Sequence, residues 1–218
     1  MKDFIVSIRM FLFMTVLLGI AYPILVTLGG QALFPKQSSG GFVSRGGLIV
    51  GASLIGQKFE SDRYFWSRPS AVDNNPLPSG GSNLGPTSAD LKKSVDDRSQ
   101  KLRAANPEGG DVIPQDLLFA SASGLDPHIS PEAAAYQVPR IVKSRHLPTE
   151  KVNQLVNAAT SGRQFGFLGE PTVNVLALNL ALDQYQGITE APTPAPTPVA
   201  TPLPNPAAAP VPAATPVQ

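Results

Sequence analysis

Residues 10–28 read MFLFMTVLLGIAYPILVTL, and the fold turns on what this stretch is. It carries no formal charge, and the uncharged run extends over 26 residues between Arg9 and Lys36. Nineteen helical residues rising about 1.5 Å each reach roughly 28 Å, close to the thickness of a bilayer's hydrocarbon core. Inside a soluble protein a helix this apolar on every side needs burial all round, which a small domain rarely offers. Pro23 lies within the run; membrane helices tolerate proline, usually with a kink. A membrane helix over residues 10–30 is therefore expected. A cleavable signal peptide competes, helped by the small residues of Gly30-Gln31-Ala32. Its apolar core would be longer than the roughly 7–15 residues of a secretory leader.

Working outward, the nine-residue head carries Lys2 and Arg9 against Asp3. The positive-inside tendency keeps such a head in the cytoplasm and sends the remainder of the chain out, although Lys36 and Arg45 flank the far side. At the other end, Ile188–Gln218 holds ten of the 23 prolines, one charge (Glu190) and no aromatic residue. A segment of that kind favours extended polyproline II, and a disordered tail is expected. The organisation predicted is a cytoplasmic stub over 1–9, the membrane helix over 10–30 and a linker over 31–46. An extracytoplasmic domain over 47–187 and the tail over 188–218 complete it. The lipid bilayer is the first partner implied.

Composition narrows the function classes. The chain has 218 residues, no cysteine, and 17 Lys+Arg against 16 Asp+Glu. Without cysteine there are no disulfides, no thiolate metal sites and no cysteine nucleophile. A formal net charge of +1 supplies no electrostatic footprint for nucleic acid. The mean hydropathy of +0.02 averages an apolar helix, an ordinary domain and a proline-rich tail.

The outer domain reads as mixed α/β, with about four helices and a small sheet. Leu48–Val50 is predicted as a strand feeding a short helix over Leu54–Phe59 capped by Ser53. Arg63–Ser67 (RYFWS) is aromatic and strand-like, ended by Arg68-Pro69. Asp73–Ser88 is a long loop, a feature that is often functional in a compact domain. Thr87 and Asp90 have capping-box spacing for a helix striped by Leu91, Val95 and Leu102 and stopped at Asn106-Pro107. A strand over Asp116–Ala120 follows. Ser130 caps a helix with Pro131 at its first position, and Pro139 should kink or divide it. Thr149 caps the next helix, with Val152, Leu155, Val156 and Ala159 on one face and Gly162 as its stop. Asn174 caps VLALNLALDQY, with Gly187 at its end.

Chemistry is sparse. Asp126, His128 and Ser130 lie within five residues and suggest a hydrolase. Triad members meet from separate segments, however, and a turn in which Asp126 and Ser130 bond backbone amides explains the same residues. His128 and His146 are the only histidines, so a multi-histidine metal site is excluded beyond a two-histidine, carboxylate type. GGSNLGPTS lacks the GxxxxGK[ST] pattern of a phosphate cradle. No catalytic residue, cofactor ligand or metal ligand is nominated. YFWSRP is either a core strand with a surface ion pair or an interface anchor, aromatics and arginine being enriched at interfaces.

Five segments taken together, GASLIGQKF, RYFWSRPSA, GGSNLGPTS, ASASGLDPHISPEAA and PTVNVLALNLALD, lie in that order behind one N-terminal helix. The set resembles the C subunit of the Kdp potassium-transporting P-type ATPase, over roughly residues 1–187. Pro139 departs from the family pattern. The resemblance implies an accessory, non-catalytic subunit of a high-affinity potassium uptake complex in the bacterial inner membrane. Its implied partners are a channel-like potassium-translocating subunit and a P-type ATPase subunit, and ATP, Mg2+ and K+ belong to those partners. The implied role is assembly and stabilisation, with a further proposal of catalytic-chaperone action on ATP binding. This chain has no DKTGT phosphorylation sequence.

On that footing Tyr64, Phe65, Arg68, Ser82, Asn83, Asp126 and His128 are candidate contacts with the partners. Gly19, Ala21 and Pro23 are candidates for packing the membrane helix against partner helices, small residues allowing close approach. The alternatives are a membrane-anchored hydrolase using His128 and a cell-envelope scaffold using the tail.

Overall fold

Residues 2–188 are described by a computed structural model, and the apolar run is helical throughout. Helix α1 spans Lys2–Val16 and α2 spans Tyr22–Leu33, joined by a π-helical turn over Leu17–Ala21. The 32 residues form one helix long and apolar enough to cross a membrane, roughly 48 Å end to end. None of its residues is buried by the rest of the protein. The π turn sits where Pro23 has no N–H to donate and would crowd the carbonyl of Gly19. Widening the helix there, with Tyr22 N–H donating to the Leu17 carbonyl, lets it continue where a break was possible. Thr15 and Thr27 donate their hydroxyls back to the carbonyls of Phe11 and Pro23, which satisfies both threonines within the helix. The proline-rich tail, predicted to be disordered, lies outside the described residues.

After the one-turn helix α3 (Pro35–Ser38), strands β1 (Phe42–Arg45) and β2 (Leu48–Ala52) form an antiparallel hairpin. Its turn is Gly46-Gly47, with φ of +58° and +83°, the left-handed pair that a tight hairpin requires. Strand β1 thus falls inside the span read as linker. The helix expected over Leu54–Phe59 does not form. Gly56 N–H instead donates to the Leu125 carbonyl at 2.7 Å, and the chain runs irregularly against that loop. A Cβ at Gly56 would lie 2.6 Å from the Asp126 carbonyl oxygen, so only glycine permits this approach.

Helix α4 (Ala89–Ala105) is capped by Ser88, one residue after the predicted Thr87, and ends at Asn106 as expected. Where a strand was expected over Asp116–Ala120, the chain makes a single turn, α5 (Gln115–Leu118). There the Asp116 carboxylate accepts from Ser130 N–H at 2.6 Å, a tertiary bond no local pattern announces. Strand β3 (His128–Ile129) leads into α6 (Pro131–Arg145), whose Ser130 cap accepts from Ala133 N–H. Pro139 does not divide α6. The carbonyl it deprives of a partner belongs to Ala135, on the solvent-facing side, where water serves.

His146, left-handed with φ of +53°, ends α6. Thr149, expected as a cap, is instead the first residue of helix α7 (Thr149–Ala159), with Pro148 at the cap position and no side-chain cap. The helix ends before Gly162 because β4 (Thr160–Ser161) begins there. Strand β5 (Thr172–Asn174) is central in an antiparallel sheet ordered β3-β5-β4. Helix α8 (Val175–Tyr185) is capped by Asn174. Phe65, Ile129, Ile141, Val152, Val173, Leu178 and Leu182 make the core between the sheet and helices α6, α7 and α8. The domain that follows the apolar helix is mixed α/β.

Candidate functional site

The aromatic RYFWS segment, expected to be strand-like, forms no strand: Arg63 and Tyr64 lie in a turn and a bend, and Phe65–Ser67 pair with no neighbouring strand. Side chains from two helices take the place of a neighbour. Asn179 of α8 accepts from Phe65 N–H (2.8 Å) and donates to the Phe65 carbonyl (3.0 Å). Gln137 of α6 does the same for Trp66, accepting at 2.8 Å and donating at 3.2 Å. Arg140 extends the clamp, donating to the carbonyls of Asp62 and Tyr64, to Asn106 and to Gln137. Its guanidinium also lies 4.2 Å from the Trp66 ring centre. Burial pulls Arg140 down to about 10, which leaves it cationic at neutral pH.

One turn beyond Asn179, Asp183 is the buried anion of the domain. Its Oδ1 accepts from Arg145 (2.7 Å), and its Oδ2 accepts from Arg45 (2.9 Å) and from the Tyr64 hydroxyl (3.0 Å). Asp183 and the Arg145 side chain are both fully buried. Arg145 also donates to the Arg63 carbonyl and to Gln186, which donates back to the Arg145 carbonyl. Burial, and then the Asp183 charge, push the Tyr64 hydroxyl above its ordinary value. The cluster ties the β1–β2 hairpin to α6 and α8. The hairpin follows the apolar helix after the short turn of α3, so this joint links the start of the hairpin's domain to its core.

A second group lies at the other end of the same segment. Arg68 Nη1 donates to Asp126 Oδ2 at 3.0 Å, while Asp126 Oδ1 accepts from His128 N–H at 3.0 Å and stands 3.6 Å from His128 Nδ1. All three are partly exposed. Ser130, the third of the hydrolase-like neighbours, bonds to Asp116 and caps α6. Next to Arg68 a cleft of about 240 Å³ is lined by Lys58, Trp66, Arg98 and Lys101 among others. Burial lowers Arg98, which donates to the Leu118 carbonyl, and Lys101 lies 5.2 Å from the Trp66 ring centre.

The candidate contacts therefore separate. Arg68, Asp126 and His128 come together on the surface. Ser82 and Asn83 are exposed on the loop beside them, where a Cβ at Gly81 would meet the Ala122 carbonyl at 3.1 Å. Tyr64 is half-buried and engaged with Asp183. Phe65 is a correction: at 0% exposure it belongs to the core, because the clamps turn its ring inward, and it offers no contact surface. Gly19, Ala21 and Pro23 are all exposed on the apolar helix, with open space around Gly19.

Sequence reading missed Asn179, Asp183, Gln137, Arg140 and Arg145. A signal was present: VLALNLALDQY places two polar residues four apart on an otherwise apolar helix, the spacing of one buried face. Among the described residues no group of three His, Asp or Glu side chains is arranged to hold a metal ion.

Comparison with known proteins follows the same boundaries. Residues 4–184 match the family model of KdpC, described as the c chain of the K+-transporting ATPase. The "Potassium-transporting ATPase KdpC subunit" of Burkholderia cenocepacia is 51% identical over 180 residues, covering 81% of this chain and 93% of the relative. That of Geobacter metallireducens is 50% identical over 188 residues, covering 84% and 98%. That of Methylococcus capsulatus is 51% identical over 180 residues, covering 81% and 95%.

Proposed function

The chain belongs to the KdpC family, the c chain of K+-transporting ATPases, and from that premise we propose that it is a single-pass accessory subunit that supports assembly of the complex without catalysing a reaction itself. Its partners on this proposal are a channel-like subunit that carries the ion and a P-type ATPase subunit that holds ATP and Mg2+. The observation that carries it is the 32-residue apolar helix, which buries nothing against its own domain. A helix of that composition is stable only in lipid or against other membrane helices. Gly19 and Ala21, in the π-helical turn, give a neighbouring helix room to approach.

The polar residues of the outer domain support an assembly role. Asp183, Arg145, Arg140, Gln137 and Asn179 hold the segment carrying Tyr64 to Arg68 in place. Arg68, Asp126 and His128, with Ser82 and Asn83 nearby, are the surface proposed to face the channel-like subunit. The positive head supports an N-terminus in the cytoplasm and, on this proposal, a domain outside it, in a bacterial inner membrane. Any effect on ATP binding then passes through the complex.

Growth on limiting potassium tests the proposal. Cells lacking this chain should fail to grow until the full chain is restored. A His128→Ala chain should restore growth in proportion to the complex it assembles, since His128 stands at the proposed contact and not in a catalytic site. Loss of growth with His128→Ala while the complex stays intact would turn the assignment toward catalysis.

A further inference from the structure

The loop between β4 and β5 presents its apolar side chains to solvent. Phe165 is 86% exposed and Phe167 70%, with Leu168 beside them. The loop is nonetheless ordered by its own bonds. Gln164 N–H donates to the Leu168 carbonyl (2.8 Å), Leu168 N–H donates back (2.9 Å), and Arg163 pairs with Glu170 at 2.6 Å. Phe165 sits in the left-handed region at φ +53°, ahead of Gly166 at +82°. Asn or Gly is the favoured residue there, and a bulky aromatic held in that conformation, with its ring in water, gains nothing within the chain itself.

Its position narrows what the ring meets. Helices α7 and α8 run antiparallel: Lys151 near the start of α7 lies 4.6 Å from the Tyr185 ring at the end of α8, while Thr160 pairs with Val173 at the opposite end. The Phe165 loop springs from that opposite end. The apolar helix departs from it as well. Asn174 Nδ2 donates to the Ser53 carbonyl (2.7 Å), Ser53 N–H to the Gly41 carbonyl (2.9 Å) and Gly41 N–H to the Lys36 carbonyl (2.9 Å), a chain of bonds leading from the start of α8 to the exit of α2. Leu54 and Ile55, both exposed, lie on the same stretch.

We propose that Phe165, Phe167 and Leu168, with Leu54 and Ile55, form a second membrane contact that dips into the headgroup–acyl boundary of the bilayer the apolar helix enters. The inference rests on the membrane-anchored reading above. The loop's single ion pair leaves it neutral, so burial of its aromatic surface supplies the attraction. Together with the helix it would give the outer domain two points of support and fix its tilt over the membrane.

The absence of cysteine makes spin labelling direct. Single Phe167→Cys, Lys93→Cys and Leu18→Cys chains, nitroxide-labelled, are reconstituted alone at full length in vesicles of phosphatidylethanolamine with phosphatidylglycerol. Relaxation by oxygen and by a water-soluble nickel complex is then compared. The Phe167→Cys label should favour oxygen, as the Leu18→Cys label does, whereas the Lys93→Cys label favours nickel. A nickel-accessible Phe167→Cys label overturns the proposal. If that label becomes shielded from both reagents only when the other subunits are present, the loop's partner is a protein pocket and the lipid contact is equally overturned. A nickel-accessible Leu18→Cys label overturns the anchor itself, and this contact with it.

Discussion

Asn179 does for Phe65 what an adjacent β-strand would do, accepting its N–H at 2.8 Å and donating to its carbonyl at 3.0 Å. Both residues are fully buried, so no water can replace the amide. Asn179→Leu is expected to leave two backbone groups unpartnered and to destabilise the domain by about 2–4 kcal/mol. Urea unfolding followed by the fluorescence of Trp66 measures it. An unshifted midpoint would mean the clamp is incidental.

Asp183 neutralises Arg145 and Arg45 in the joint between the hairpin and the core. Asp183→Asn strands two guanidinium groups and should cost about 3–5 kcal/mol, the range for breaking a buried pair. Arg45→Ala should cost less, since Arg145 still partners the carboxylate. Equal losses for the two variants would place the energy in the hairpin contact instead.

The Tyr64 hydroxyl, raised by burial and then by Asp183, titrates at a higher pH folded than unfolded. Above the ordinary tyrosine value the folded chain therefore holds the proton more tightly. The stability this gives is fully present below about pH 10 and is lost as pH climbs through the raised value. Comparing the parent with Tyr64→Phe across that window isolates the effect. The parent should lose its advantage with rising pH, and parallel curves would contradict the assignment.

Ser130 caps α6 through Ala133 N–H and bonds to Asp116. Ser130→Ala should lower stability by about 1 kcal/mol, the usual worth of such a cap. Potassium-stimulated ATP hydrolysis by the assembled complex should be unchanged per mole of complex. Abolished hydrolysis in an intact complex would revive the hydrolase-like reading of Asp126, His128 and Ser130.

What could be read from the sequence, and what could not, divides along physical lines. The caps at Ser130 and Asn174 and the stop at Asn106 are local signals, and each appears at its place; the apolar run is helical too, although the helix reaches from Lys2 to Leu33, beyond the expected 10–30. Gly56 and Asp116 misled because their conformations are set by partners 69 and 14 residues away, at Leu125 and Ser130. RYFWS looked like a strand because it is aromatic and partly buried. Its neighbours are side chains of α6 and α8, which no alternation pattern encodes. Arg68, Asp126 and His128 do meet at the surface, and Phe65 was misjudged because aromatics mark cores and interfaces alike.

On the proposed function, this chain works by holding a membrane complex together. The most direct test is purification through a tag on the full chain in mild detergent, with the particle mass measured. A hetero-oligomer containing a channel-like protein and a DKTGT-bearing ATPase is expected, reduced when Asp126 and Arg68 are both changed to Ala. Recovery of the chain alone, from membranes where those proteins are abundant, would contradict the account.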